Sequence, residues 1–420
     1  MLILITSINS EVVNNQPSSK KIKFAHLADC HIGGWREVRL HNASQLAFRK
    51  AIDYCINERV NFLIIAGDLF NNAIPAIDIL KETISDLKRL KDSDIPVYIV
   101  SGSHDYSASG KTIIEVLEKA GFVIDVVRGS IIDNKLKLNF TIDKKTGIKL
   151  TGIIGKKGSL EKKYYENLDY SIENEPGFKI FIFHTAISEL MPKDLKEISS
   201  MTLKSLPGNF NYYAAGHVHE IIEQKKDGFH LIYPGPIFPN SFRELEKLNN
   251  GGFYVVDVDL VDYSINSKHI PIILHNYDSI VVDCNNKTPQ EINEEVLNII
   301  LKREFVDSIV TLRLKGILKS GYINEIKLDY FISKLYERGA YVVLRSTTQL
   351  ELKTEKKEII IDANNANIEY QLIDSLKDDN LKEISLKLMN VLSNEKHDGE
   401  KVYDYEARII GELKSIFALN

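Results

Sequence analysis

Apolar runs that close on an acid or a histidine alternate with amphipathic stretches over the first 270 or so residues. "IKFAHLAD" (22–29) and "NFLIIAGD" (61–68) are such runs, each closing on an aspartate. Between them "NASQLAFRKAIDYCINERV" (42–60) puts Leu46, Ile52 and Ile56 at helical spacing with charges between. "PAIDILKETISDLKRLK" (75–91) opens on proline, a favourable first helical residue. "IPVYIVSGSHD" (95–105) predicts a third strand running into a polar loop. Strand, helix, strand, helix, strand is the order of a mostly parallel sheet.

A second set of short apolar runs follows, at 131–142, 148–155, 178–184, 212–219, 229–235 and 252–260. Two face-to-face mixed β-sheets flanked by helices fit this layout, an α/β sandwich over 21–272. After about residue 272 the pattern restarts. Strands at 278–284, 307–316 and 340–346 alternate with helices at 288–304 and 323–338, a small α+β unit over 275–350. A polar stretch, 351–366, reads as a linker, and 367–420 holds two amphipathic segments at 379–396 and 401–419. In the second, Val402, Tyr405, Ile409, Leu413 and Ile416 share a face. Such faces either dock into a partner's groove or pack on their own domain. Residues 1–20 read as a poorly ordered extension. Its opening "MLILITSI" is too short, and too poor in flanking basic residues, for a signal peptide.

Composition changes this picture little. Hydrophobic content of 44% and charged content of 26% are ordinary for globular chains. The net charge of −5 argues against wholesale wrapping of nucleic acid but leaves room for a local basic groove. The lysine pairs 144–145, 156–157 and 162–163 are either phosphate contacts or solvated surface. The three cysteines are scattered, with no CxxC pair, so neither a zinc knuckle nor a disulfide framework is expected. No apolar run is long enough for a membrane helix.

The chemistry lies at the strand ends. Asp29 and His31 stand in "ADCHIG", Asp68 in "AGDLF", Ser103, His104 and Asp105 in "GSHD", His184 in "FIFHT", and His217 and His219 in "AGHVHE". Sites in open α/β sheets gather beyond the carboxyl ends of strands, so residues this far apart in sequence can converge. Each piece alone is weak: a lone histidine is more often structural, and D-x-H occurs by chance. Together they predict a metal site. Mixed imidazole and carboxylate ligands suit borderline divalent ions. Two such ions about 3.5–4 Å apart can clamp a phosphate ester and activate water. One carboxylate must then bridge them, and Asp68 is the natural bridge. His26 lies within the first strand and reads as a packed neighbour. Trp35 either stacks on nucleic acid or anchors its loop.

These motifs resemble the calcineurin-like metallophosphoesterases, whose pattern is D-x-H, G-D, G-N-H-D/E, a lone H and G-H-x-H. Within them "KFAHLADCHIGG", "FLIIAGDLFNN", "PVYIVSGSHD", "YYAAGHVHE" and "IYPGPIFPNSFRE" are most similar to the nuclease family of DNA double-strand-break repair and its SbcD-like bacterial relatives. The resemblance is specific over residues 22–260. It implies a four-layer sandwich and two divalent ions, Mn²⁺ first among candidates. Asp29, His31 and His219 would hold one ion, His184 and His217 the other, and Asp68 would bridge. His104 would contact the phosphate or protonate the leaving oxygen, while Asp105 would shape the loop. It further implies 3′→5′ exonuclease and single-strand endonuclease activity on DNA, and homodimerisation through helices near 75–91 and 110–120. The 275–350 unit would act as a cap over the site. The C-terminal helices would dock on an SMC-like ABC ATPase partner, in the cytoplasm (nucleoid-associated) or nucleus.

Three positions depart from the pattern. Ser103 stands where the family has an asparagine ligand; direct ligation, ligation through water and a weakened second metal are open, with water filling the gap favoured because the other six positions match. Asn71 stands where many repair nucleases have histidine; it can hydrogen-bond His104 or a phosphate but cannot transfer a proton. Pro236 replaces the serine of Y-P-G-S. Two rival readings remain on sequence alone. One is a phosphodiesterase or phosphatase of small substrates on the same fold. The other is a non-catalytic scaffold.

Overall fold

The computed structural model describes residues 21–107, 112–192, 200–226, 228–352, 368–374, 376, 378–397 and 399–417. The expected N-terminal extension and most of the expected linker lie outside the described residues. The chain divides into two compact units, Met1–Leu352 and Lys353–Asn420.

Two six-stranded sheets form the centre of the first unit. One runs in the order Ile265–Ile272, Gly251–Asp259, Lys21–Leu27, Phe62–Ala66, Val97–Val100, Ile124–Asp125. Its last four strands are parallel, and Gly251–Asp259 and Ile265–Ile272 each pair antiparallel. The other runs Ile221–Lys226, Phe229–Pro234, Tyr212–Gly216, Lys179–His184, Lys149–Ile153, Thr141–Ile142. Its four inner strands are parallel and its two outer ones antiparallel. Both are therefore mixed, as the sequence predicts.

The inner faces meet in one core, where Phe24, Phe62, Ile64 and Tyr98 oppose Ile180, Ile182, Tyr212 and Ile232. The helices Ala43–Asn57 and Ile77–Asp92 cover the outer face of the first sheet through Phe48, Ile52 and Leu87. The central strands are buried on both faces, which is why they read as unbroken apolar runs. The outer face of the second sheet is covered by short segments, including the helix Lys162–Glu166 and several 3₁₀ turns.

Some boundaries differ from the reading of the pattern. The second helix starts at Ile77, with Pro75 in the extended lead-in. The apolar run at 131–142 is not one strand but an exposed hairpin, Gly129–Ile132 with Lys135–Leu138, followed by the separate strand Thr141–Ile142. Asp133 and Asn134 both take positive φ, 49° and 61°, as a two-residue hairpin turn requires.

Three parallel strands, Asn276–Asp283, Ser308–Leu318 and Ala340–Leu352, form a separate small sheet. The helices Pro289–Leu301 and Leu328–Glu337 pack on it around a core of their own that includes Val296, Leu312 and Leu335. The first of these helices opens on a full capping box, Thr288 with Glu291.

The second unit holds the helices Ile368–Asp374, Asp379–Leu392 and Val402–Ile416. Neither of the last two has a buried residue. They are tied by Tyr405, whose hydroxyl donates to the Asn394 carbonyl. Among the described residues no helix is long and apolar enough to cross a membrane.

Candidate metal centre

Every motif residue sits at or just past the carboxyl end of a parallel strand. Asp29 and His31 follow Lys21–Leu27, Asp68 follows Phe62–Ala66, and Ser103, His104 and Asp105 follow Val97–Val100. His184 ends Lys179–His184, while His217 and His219 follow Tyr212–Gly216. The two sheets thus deliver these side chains to one place.

The backbone there is strained. Asp29, His31, Asp68 and His217 have φ of 50°, 42°, 52° and 89°. Such conformations cost about 1–3 kcal/mol each and persist only where the surroundings over-determine them. Space is equally tight: a Cβ on Gly67, itself at φ 87°, would lie 2.2 Å from Nδ1 of His184.

Three groups of donor atoms each lie within 4.8 Å of one another: Asp29, His31 and His219; His31, Asp68 and His104; and Asp29, Asp68 and His184. The His217 ring lies 5.2 Å from that of His184, centroid to centroid, and its main-chain N–H donates to both oxygens of Asp29 at 3.0 and 3.1 Å. Ser103 donates its hydroxyl proton to Asp68 Oδ2 at 3.4 Å, leaving the lone pairs of its oxygen uncommitted.

The side chains present fit a metal. His184 Nδ1 faces the Ala66 carbonyl at 2.8 Å, so that nitrogen carries the proton. Its Nε2 is buried, 3.1 Å from Asp68 Oδ2 and 4.0 Å from Asp29 Oδ1, yet it makes no well-directed hydrogen bond. A lone pair aimed at two carboxylates calls for a cation between them. Likewise His31 Nε2 and His219 Nε2 approach to 3.0 Å, beside Asp29 Oδ1 at 3.6 Å from the latter. Burial opposes charge on His184, but Asp68 beside it lifts its pKa to about 9. Burial pushes His31 and His217 down to about 4. Asp68 would also be raised by burial, but His184, His31 and the N–H of His104 hold its carboxyl well below the usual range.

The loop that carries His104 is held from beneath. Asp105 is buried and accepts N–H bonds from Leu69, Phe70 and Gly102 at 3.2, 3.1 and 3.1 Å. The His104 main-chain N–H donates to Asp68 Oδ1 at 2.7 Å, and its Nδ1 bonds the main-chain carbonyl of Asn71 at 2.8 Å. The Asn71 side chain instead meets Asn240, 3.4 Å away. Trp35 anchors its loop, since its indole N–H donates to the Pro239 carbonyl at 2.8 Å. His26 is fully buried and bonds the Tyr212 hydroxyl.

One residue at the site escapes the motif reading. Glu244 Oε1 lies 3.1 Å from His219 Nδ1. Carboxylate partners of this kind fix the tautomer of a metal-bound histidine and raise its basicity. Glu244 ends the segment "IYPGPIFPNSFRE" but has no role in the motif, and its local signal, Ser241 followed three residues later by glutamate, marks a helix start and not a metal centre.

Residues 22–221 match the calcineurin-like phosphoesterase family. Within that class the chain is similar to archaeal proteins named DNA double-strand break repair protein Mre11. It is 27% identical to that of Archaeoglobus fulgidus over 54% of this chain and 52% of the relative. It is 29% identical to that of Methanococcus maripaludis over 59% of this chain and 65% of the relative. Against that of Methanocaldococcus jannaschii it is 27% identical over 84% of this chain and 93% of the relative. The chain thus spans between half and two thirds of the length of the first two.

Proposed function

We propose that this protein is a metal-dependent nuclease of DNA double-strand-break repair. The observation that carries the chemistry is the pair of donor groups, Asp29–His31–His219 and Asp29–Asp68–His184, brought to one point by two sheets. Likeness to the break-repair proteins supports DNA as the substrate. In this reading Asp29, His31 and His219 hold one divalent ion and His184 and His217 the other. Asp68 bridges, and Ser103 reaches the second ion through water. Manganese suits this mixture of imidazole and carboxylate.

The bound ions would supply charge neutralisation for a phosphodiester and an activated water. The chain's own residues do the rest. Nδ1 of His104 gives its hydrogen bond to the Asn71 carbonyl, which leaves Nε2 as the nitrogen that, from the imidazolium form, gives a proton to the leaving oxygen. Asn71 serves through its main chain, so asparagine at this position costs the His104 anchor nothing. Asp105 sets the height of the loop.

The same reading assigns 3′→5′ exonuclease and single-strand endonuclease activity, a capping role for 275–350 and a homodimer. It also assigns docking of the C-terminal helices on an SMC-like ABC ATPase, and a nucleoid-associated or nuclear location. Truncation near residue 365 should abolish co-purification with that ATPase; retained binding would remove the docking role.

The central test is degradation of end-labelled linear duplex DNA by the purified chain with Mn²⁺, beside His104→Gln. Cleavage by the wild type and its loss in the variant are expected. Hydrolysis of small phosphodiesters alone would point to the other branch of this fold. No hydrolysis, with the ATPase and ATP present, would point to a scaffold.

A further inference from the structure

The short helix Phe242–Leu248 stands between the candidate metal centre and the three-stranded sheet. At its start Ser241 accepts the Glu244 N–H at 3.2 Å, and Glu244 accepts from the Ser241 hydroxyl and the Asn240 N–H at 3.0 and 2.8 Å. These bonds hold Glu244 against Nδ1 of His219. Glu246 is two residues on, and at 100° per residue it faces roughly the opposite way. There it meets Arg313 of the strand Ser308–Leu318. Nε of Arg313 lies 2.9 and 3.0 Å from the two oxygens of Glu246, and Nη2 lies 2.7 Å from Oε2. The two side chains are only 15% and 19% exposed. The guanidinium also covers the Phe242 ring at 4.8 Å, and Nη1 reaches Gln349 on the neighbouring strand at 3.3 Å.

We propose that Arg313 is a positioning residue for His219. The sheet grips the helix through Glu246 and Phe242, and the helix presents Glu244 to the imidazole. Glu244 keeps the proton on Nδ1 and turns Nε2 toward Asp29 and His31. The inference rests on the metal-centre reading above. Its physical basis is that the helix cannot hold this pose alone. It is seven residues long, too short for independent stability, and buries only Leu245. Its ion pair between Lys247 and Glu220 involves a more exposed lysine. The bidentate, sheltered arginine pair is the bond that fixes direction as well as distance.

A purely structural ion pair would act differently. It would lower the melting temperature and leave metal affinity alone, and its effect would be independent of Glu244. The test is calorimetric titration of Mn²⁺ into the full chain for the wild type, Glu244→Gln, Arg313→Met, Arg313→Lys and the double variant Glu244→Gln/Arg313→Met. Removing a direct partner of a metal-bound histidine weakens metal binding about 10–100-fold, which is expected for Glu244→Gln. Arg313 acts one step further out, so Arg313→Met should weaken it less, about three- to tenfold, with partial rescue by lysine. In the Glu244→Gln background Arg313→Met should add nothing. If Arg313→Met does not fold, Glu246→Gln removes the charge pair with Phe242 left in place and is read the same way. Unchanged Mn²⁺ affinity in the Arg313 variants, or a full-sized effect without Glu244, overturns the positioning role. A wild type that binds no Mn²⁺ overturns the metal-centre reading itself, and the inference with it.

Discussion

Replacing Asp105 with asparagine tests whether the loop beneath His104 is set by a carboxylate. The change is nearly isosteric, so packing is preserved and only hydrogen bonding differs. Oδ2 of Asp105 accepts from Leu69 and Gly102, and Oδ1 accepts from Phe70. An asparagine oxygen placed at the Oδ2 position keeps two bonds. Its amide group then faces the Phe70 N–H, donor against donor. A hydrogen bond to a charged group contributes about 1.5–3 kcal/mol, and a buried N–H left unpaired costs about 1–3 kcal/mol. Part of this is offset, because burial, with Asp68 nearby, raises the Asp105 carboxyl to about 6 and so already penalises its charge. A net loss of about 2–4 kcal/mol follows from those terms.

The functional consequence is separate from the stability loss. The segment after Asp68 supplies the Asn71 carbonyl that holds His104, and in the role proposed for His104 a displacement near 1 Å can cost about 10²-fold. Asp105→Asn should therefore lower the melting temperature and reduce turnover on labelled DNA by about 10–100-fold, even well below the melting range. Urea denaturation and single-turnover cleavage read the two effects. Wild-type stability would show that the Phe70 N–H bond and the carboxylate's charge carry no net weight. Lost stability with wild-type turnover would show that the loop does not position His104.

Two further outcomes are expected. His26 is buried with its pKa lowered to about 3, from 6.5, by desolvation. The unfolded chain then binds more protons between those values, so stability is intact above pH 6.5 and is lost as pH falls toward 3, by at most about 1.4 kcal/mol per pH unit. His26→Gln should flatten that part of the stability–pH curve, and an unchanged slope would exonerate this residue. Ser103→Asn should tighten the second Mn²⁺ and shift activity to lower Mn²⁺. A titration in which neither moves would show that serine is no weaker here than asparagine.

The sheet centres and the site they carry were legible for one physical reason. A parallel strand buried on both faces must be apolar throughout, so a polar residue at its end stands out. "FLIIAGD" and "FKIFIFH" show this plainly: Asp68 closes a run with no other polar side chain, and His184 closes one whose single other polar residue, Lys179, stands at its opposite end with Nζ on the Glu173 carbonyl. The exposed hairpin at 129–138 lacks that constraint. Its first strand faces solvent and its second buries only Leu138, so its apolar residues merged with those of Thr141–Ile142, and only Asp133–Asn134 marked the turn.

What stayed hidden is contact made through space or through the main chain. Glu244 reaches His219 from a helix 25 residues later, and no periodicity links the two. Asn71 is the sharper case. By side-chain type the position looks weakened, because asparagine cannot transfer a proton. The bond to His104 comes from the residue's carbonyl, which every amino acid has. A substitution at position 71 that keeps the loop conformation should thus leave the His104 anchor intact whatever side chain it brings. The departures at 71 and 103 differ in kind: at 71 the bond to His104 does not use the side chain, whereas at 103 the hydroxyl itself lies against Asp68. It is at Ser103, then, that this chain has room to differ from the motif pattern it resembles.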